Sequence, residues 1–168
     1  GDLPKGNQQL NLANLYLLHE VPYKAAIILD KGMKKGIIEK NVRNQRLLSQ
    51  AFLQAQESKR AIEPLKQAAS LSKDGDLDIR LAQAYLNLDQ YKNAINALQT
   101  GLKKGGVKRR DTAQVMLGLA NFELQRFDSS IKAFTAASKD KRSKKTADQW
   151  LGHVKNEKSR KQQLKEAL

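Results

Sequence analysis

The chain has 168 residues, no cysteine and a formal net charge of +14. That length fits one domain, and the cysteine count excludes disulfides and thiol catalysis. No apolar run approaches the roughly 20 residues that a membrane-spanning helix requires, and an apolar content of 40% with only 5% aromatic suits helices rich in Ala and Leu.

In chain order, Gly1-Asp2-Leu3-Pro4 reads as an arbitrary start with upstream sequence removed. Residues 1–6 form a leading segment or linker, and no signal peptide is visible. A pattern then recurs four times. Its first helix carries a small residue and an aromatic, and its second carries a small residue and a large apolar one.

The first unit holds Leu12-Ala13-Asn14-Leu15-Tyr16 and then Ala25 and Leu29. Its helices are expected near 7–20 and 22–35, with Pro22 in a first turn, where a missing N–H costs nothing. The second unit holds Leu48-Ser49-Gln50-Ala51-Phe52, Ala61 and Leu65, with helices near 41–56 and 58–71 and a slight bend at Pro64. The third holds Leu81-Ala82-Gln83-Ala84-Tyr85, Ala94 and Leu98, with helices near 76–89 and 91–104. The fourth holds Leu117-Gly118-Leu119-Ala120-Asn121-Phe122, Ser130 and Phe134, with helices near 111–125 and 127–139 and Asp111 as N-cap.

The second-helix anchors Ala25, Ala61, Ala94 and Ser130 are 36, 33 and 36 residues apart. A two-helix unit recurring about every 34 residues marks a helical solenoid. Small residues sit where the paired helices cross, and Tyr16, Phe52, Tyr85 and Phe122 fill the gaps beside them. A further small residue, Gly32, Ala68, Gly101 or Ala137, lets the next unit's helix approach. A ninth helix near 144–166 follows, capped by Ser143, with Ala147, Leu151 and Val154 as its apolar stripe. It closes the array, unless its last two turns, with Leu164 and Leu168, project as a docking arm.

The charge is uneven. Residues 101–110 carry Lys103, Lys104, Lys108, Arg109 and Arg110 with no acid. Residues 138–168 carry ten basic and four acidic residues, Lys155, Lys158, Arg160 and Lys161 among them. Such a field suits an acidic partner, anionic lipid or nucleic acid, or simply keeps the face solvated. No aromatic platforms interleave with the basic residues, so nucleic acid is the less favoured partner.

Catalytic signals are absent, and no enzyme activity, cofactor or metal is expected. His19 and His153 are far apart and lack acidic neighbours at ligand spacing. The glycines from Gly101 to Gly106 lack phosphate-loop spacing. Asp74, Asp76 and Asp78 lack the distal bidentate Glu of a calcium loop.

Across residues 7–142 this pattern resembles the tetratricopeptide repeat (TPR). The resemblance implies an all-α, right-handed superhelical solenoid of about four helix pairs, with residues 143–168 as a capping helix and basic tail. It departs at Asn121, where the family has an aromatic, and in lacking the proline that ends the second helix. In such arrays the first helices line the concave face, so the stripe that core packing leaves free becomes a candidate peptide groove. Unit one gives Asn7, Asn11, Asn14 and Leu18, and unit two gives Arg43, Arg46, Gln50 and Gln54. Unit three gives Asp76, Arg80, Gln83 and Asn87. Unit four gives Thr112, Met116, Leu119 and Glu123, with Met116 and Leu119 as an apolar pocket. Amides can meet a peptide backbone and arginines can clamp carboxylates, although polar filler would have the same composition. The family's Lys, Asn and Arg clamp for a terminal carboxylate does not carry over, since Arg80, Thr112 and Met116 replace its later members.

The runs Pro22-Tyr23-Lys24-Ala25-Ala26, Arg46 to Ala51, Leu71 to Gly75 and Lys141 to Leu151 are similar to the C-terminal part of TPR proteins encoded beside TonB-type energy-transduction systems. That similarity implies a periplasmic fragment assisting TonB-dependent outer-membrane transport, with TonB-system components as partners. Two alternatives remain: a cytoplasmic basic module for nucleic acid or anionic lipid, and an accessory domain of an enzyme encoded upstream.

Overall fold

The computed structural model describes residues 5–167, which form nine α-helices and no strand. They are α1 (Lys5–Leu18), α2 (Pro22–Lys34), α3 (Val42–Gln54), α4 (Ser58–Leu71), α5 (Asp76–Leu86), α6 (Tyr91–Lys104), α7 (Arg110–Glu123), α8 (Phe127–Ala137) and α9 (Lys144–Glu166). Each helix packs on the next, giving an all-α superhelical solenoid of four pairs closed by α9. Helix α1 begins two residues before its expected start. Gly1 to Pro4 and Leu168 lie outside the described residues.

The crossings follow the small-residue pattern. Ala13, Ser49, Ala82 and Gly118 are buried on the first helices, and Ala25, Ala61, Ala94 and Ser130 are buried on the second. In the fourth pair the Ser130 hydroxyl donates to the Gly118 carbonyl at 2.8 Å, so a side chain bonds backbone where the helices touch. Gly101 acts differently from the sequence expectation. A Cβ on Gly101 would meet the Gly75 carbonyl at 2.8 Å, so this glycine admits the start of its own partner helix α5 rather than the next unit.

The turn inside each pair is also repeated. Glu20, Gln56, Asp89 and Gln125 adopt left-handed backbone with φ of 55–60°. Each ends the first helix in the same way. The N–H of the residue after it reaches back five positions, to the carbonyls of Tyr16, Phe52, Tyr85 and Asn121, at 2.8–2.9 Å. This is the Schellman arrangement, which satisfies carbonyls left over at a helix end. None of the four positions is glycine, so each turn holds an L-residue in a region that crowds its Cβ.

The same bonds agree with the departure read at Asn121 and correct the expectation that Phe122 fills the gap beside the crossing in unit four. Asn121, not Phe122, occupies the place of Tyr16, Phe52 and Tyr85. Asn121 is buried, and its side-chain amide donates to the Leu117 carbonyl at 2.8 Å. Phe122 turns instead toward a separate C-terminal cluster. There Trp150 of α9 stacks on Phe134 with centroids 5.7 Å apart and meets Phe122 edge-on at 5.7 Å. Ala147 and Val154 complete the seal, as a capping helix requires. Leu164 remains exposed near the helix end.

Asp111 is not an N-cap, and Ser143 holds the N-cap position of α9 without capping it through its side chain. Asp111 lies in the first turn of α7, and Ser143 makes no capping bond. The fully buried Asp111 carboxylate accepts bonds from Arg109 at 2.8 and 3.0 Å and from the Ser143 hydroxyl at 2.7 Å, while Arg142 stands 3.4 Å away. These contacts tie the loop before α7 to the loop before α9. The Arg109 bonds hold the Asp111 carboxyl well below the usual carboxylate range, overcoming desolvation, with help from Ser143 and the Thr112 N–H.

Three stability outcomes follow from this packing. Gly118→Leu would drive a side chain into the Phe134 ring, 2.7 Å from a Cβ at that site, and should cost about 1–3 kcal/mol in chemical denaturation. Gln56→Gly relieves left-handed crowding but adds unfolded-state entropy, and should raise stability by about 0.5 kcal/mol. Asp111→Asn should cost about 1–3 kcal/mol at neutral pH. Because the folded pKa is depressed, the Asp111 contribution is complete above the unfolded value of about 3.9 and fades as pH falls through the folded value. The variant should therefore lose less stability on acidification below about pH 4 than the parent chain, as denaturation midpoints across pH would record.

Candidate peptide-binding groove

The first helices α1 and α3 enclose a cleft of about 630 Å³. Asn7, Asn11 and Asn14 line one wall, and Arg43, Arg46 and Gln50 line the other. These residues project from successive turns of their helices, as spacings of three and four dictate. Leu10, Asn44 and Leu47 complete the lining. Sequence reasoning missed these three because it took only the positions that core packing leaves free, one stripe per helix. Their signal was the register: Asn11 and Leu47 are one repeat step of 36 apart, as are Asn7 and Arg43. Asn44 is buried and bonds the Glu39 carbonyl at 2.9 Å, so it holds the entry to α3 and offers little to a ligand.

The electrostatics of the cleft are one-sided. Arg43 and Arg46 are exposed, and neither has a carboxylate partner among the described residues. No acidic residue lines the space. Two guanidinium groups thus face solvent beside four amide side chains that can donate and accept.

The remaining expected groove residues divide. Gln54, Arg80, Gln83 and Asn87 are exposed but lie outside this cleft. The Gln83 amide donates to Asn87 at 2.9 Å, and Asn87 donates to the Ser58 hydroxyl at 3.0 Å, so those amides already serve packing between α5 and α4. Arg46 and Arg80 are not equivalent positions, because the 33-residue step places Ile79 opposite Arg46. Met116 is not on the free wall. It is only 7% exposed and belongs to the main core, because its spacing from Ala113 and Ala120 carries it to the buried side of α7. Leu119 is half-buried against the α9 cluster, so no open apolar pocket forms from these two residues.

The basic residues are distributed in two groups. Lys104 pairs with Asp78 at 2.8 Å, Arg109 with Asp111, and Arg110 donates to the Leu102 carbonyl at 3.2 Å. Lys158 is paired with Asp128, Arg160 with Glu157 at 2.7 Å, and Lys161 donates to Gln125. Lys103, Lys108 and Lys155 are exposed and have no carboxylate partner among the described residues. His19 lies in the turn after α1, and His153 rests against Phe122 and Trp150 with centroids 5.1 and 5.5 Å away. No group of His, Cys, Asp or Glu suited to a metal occurs among the described residues, and no described helix is long and apolar enough to cross a membrane.

No curated protein sequence matches the chain. A crystal structure of MamA protein superposes with a TM-score of 0.81 at 20% identity, over 92% of this chain and 83% of that one. YrrB, a TPR protein with an unusual peptide-binding site, superposes at 0.74 and 18% identity, over 90% and 76% of the two chains. The second TPR domain of human RPAP3, solved in complex with the HSP70 peptide SGPTIEEVD, gives 0.60 and 20% identity, over 66% and 92%. Residues 79–143 match the family model of the tetratricopeptide repeat, and the whole array has the fold of TPR solenoids.

Proposed function

We propose that the chain is a non-catalytic scaffold that holds an extended, acidic segment of a partner protein in the cleft between α1 and α3. The observation that carries this reading is the pair of carboxylate-free arginines, Arg43 and Arg46, set among Asn7, Asn11, Asn14 and Gln50 with no acid in the lining. Arginine forks bind carboxylates bidentately, and amides match an extended backbone. The structural neighbours support it: YrrB has a peptide-binding site, and the peptide held by the RPAP3 domain contains three acidic residues.

The wording similarity at Pro22 to Ala26, Arg46 to Ala51, Leu71 to Gly75 and Lys141 to Leu151 extends the proposal to a periplasmic accessory of a TonB-dependent outer-membrane transport system. Fractionation of cells expressing the full-length gene, with capture of TonB-system components from envelope extract, tests that placement. Recovery in the cytosol alone would count against it.

Titration with arrayed extended peptides of graded acidity tests the cleft itself. Acidic peptides should bind, and Arg43→Ala with Arg46→Ala should weaken them at least tenfold at about 0.15 M salt, since each lost charged hydrogen bond is worth about 1.5–3 kcal/mol. Arg80→Ala, outside the cleft, should change little. Equal binding of neutral peptides, or an unaffected double variant, would remove the assignment.

A further inference from the structure

The solenoid has two edges, and its charge is segregated between them. Consecutive helices run antiparallel, so the loops joining one pair to the next share one edge. Contacts between those loops show it. The Gly75 N–H donates to the Gly105 carbonyl at 2.9 Å, the Lys108 N–H donates to Asp76 at 3.1 Å, and Ser143 reaches Asp111. The turns within pairs share the other edge, where Lys161 of α9 reaches Gln125.

The linking segments, residues 31–41, 72–76, 103–110 and 138–145, hold fifteen basic and four acidic residues. The turns at 18–24, 54–60, 86–92 and 123–128 hold five of each. Nine exposed lysines of the linking edge, including Lys40, Lys73, Lys108 and Lys141, have no carboxylate partner among the described residues. They come from all four loops, so the positive field runs the length of the array. The overhang of α9 adds positive charge at the opposite edge, but Lys158 and Arg160 there are paired.

We propose that this lysine edge docks the solenoid on an anionic lipid bilayer, leaving the α1–α3 cleft free for its peptide. The side-chain chemistry favours a lipid surface over nucleic acid. Of the three arginines of the edge, Arg109 and Arg142 are locked on carboxylates and Arg110 gives one bond to a carbonyl, so few guanidinium donors are left to read phosphate or base geometry. No Phe, Tyr or Trp lies in the four segments to stack on bases. What remains is a row of hydrated point charges, the pattern that adsorbs to anionic headgroups through the surface potential. Leu71, 63% exposed at the end of α4 beside Lys73, adds an apolar contact on the same edge.

Vesicle co-sedimentation tests the proposal, with phosphatidylcholine alone and with phosphatidylcholine containing phosphatidylglycerol. The protein should bind only the anionic vesicles, less tightly as salt rises. Lys73→Glu, Lys108→Glu and Lys141→Glu together should lower the partition coefficient at least tenfold. A control reversing Lys92, Lys155 and Lys165 to Glu makes the same change in net charge away from the edge and should lower it no more than about threefold. Arg46→Ala should leave vesicle binding unchanged, which separates this surface from the groove. Circular dichroism checks that each variant stays folded, and Lys→Gln at the same three edge positions serves if the reversal unfolds the chain. Equal loss in both triple variants, absence of binding to anionic vesicles, or tighter binding of a DNA duplex at the same salt would overturn the assignment.

Discussion

Close approach of two helices at a small residue is the constraint on which the rest of this structure depends. Ala13, Ser49, Ala82 and Gly118 allow it on the first helices, and Ala25, Ala61, Ala94 and Ser130 on the second. Once that distance is fixed, the turn must close in a few residues, which is why left-handed Glu20, Gln56, Asp89 and Gln125 recur at the same 36, 33 and 36 spacing as the anchors. The strain of an L-residue at each turn is held in place by the crossing beside it. Packing between neighbours then propagates the geometry along the array with few contacts between non-adjacent helices.

The two ends of the array are not equivalent. At one end α9 covers α8, and Trp150 lies flat on Phe134. At the other, Leu12 and Leu15 of α1 are exposed by 43% and 52%, although their repeat equivalents Leu48 and Ala51 are buried under α2. In a one-dimensional array each unit's stability is its own plus that of its shared faces, so α1 and α2 have one face fewer to draw on. The groove is built on that less supported end.

The periodicity made the fold legible because small and large residues alternate for a steric reason that sequence displays directly. Helix ends were legible to within a few residues for the same reason. Misreadings arose where one residue step changes the face. Asn121 and Phe122 are adjacent: the departure at Asn121 was legible from the register, 36 residues after Tyr85, whereas the turn of Phe122 toward the α9 cluster was not. Met116 was read as groove because it belongs to the first helix, yet it is i+3 from Ala113 and i−4 from Ala120, both buried. Asp111 and Ser143, each a plausible cap by type, instead bond one another across 32 residues, a pairing that no local rule contains.

The cationic residues divide by type, and the division follows from their chemistry. Arginines that face the cleft, Arg43 and Arg46, lack partners among the described residues, whereas Arg109 and Arg142 at the linking edge are locked into a structural network around Asp111. Rigid planar forks are suited to both tasks, because each needs a fixed geometry. The exposed charges left without a carboxylate at that edge are mainly lysines, whose flexible stems and strong hydration impose no fixed geometry on a counter-charge. Composition alone gives a net charge of +14 and no direction. Folding resolves it into two arginines in the α1–α3 cleft and a row of lysines along one edge. Salt should act on the two unequally, because a desolvated arginine–carboxylate contact is screened less than an exposed lysine edge.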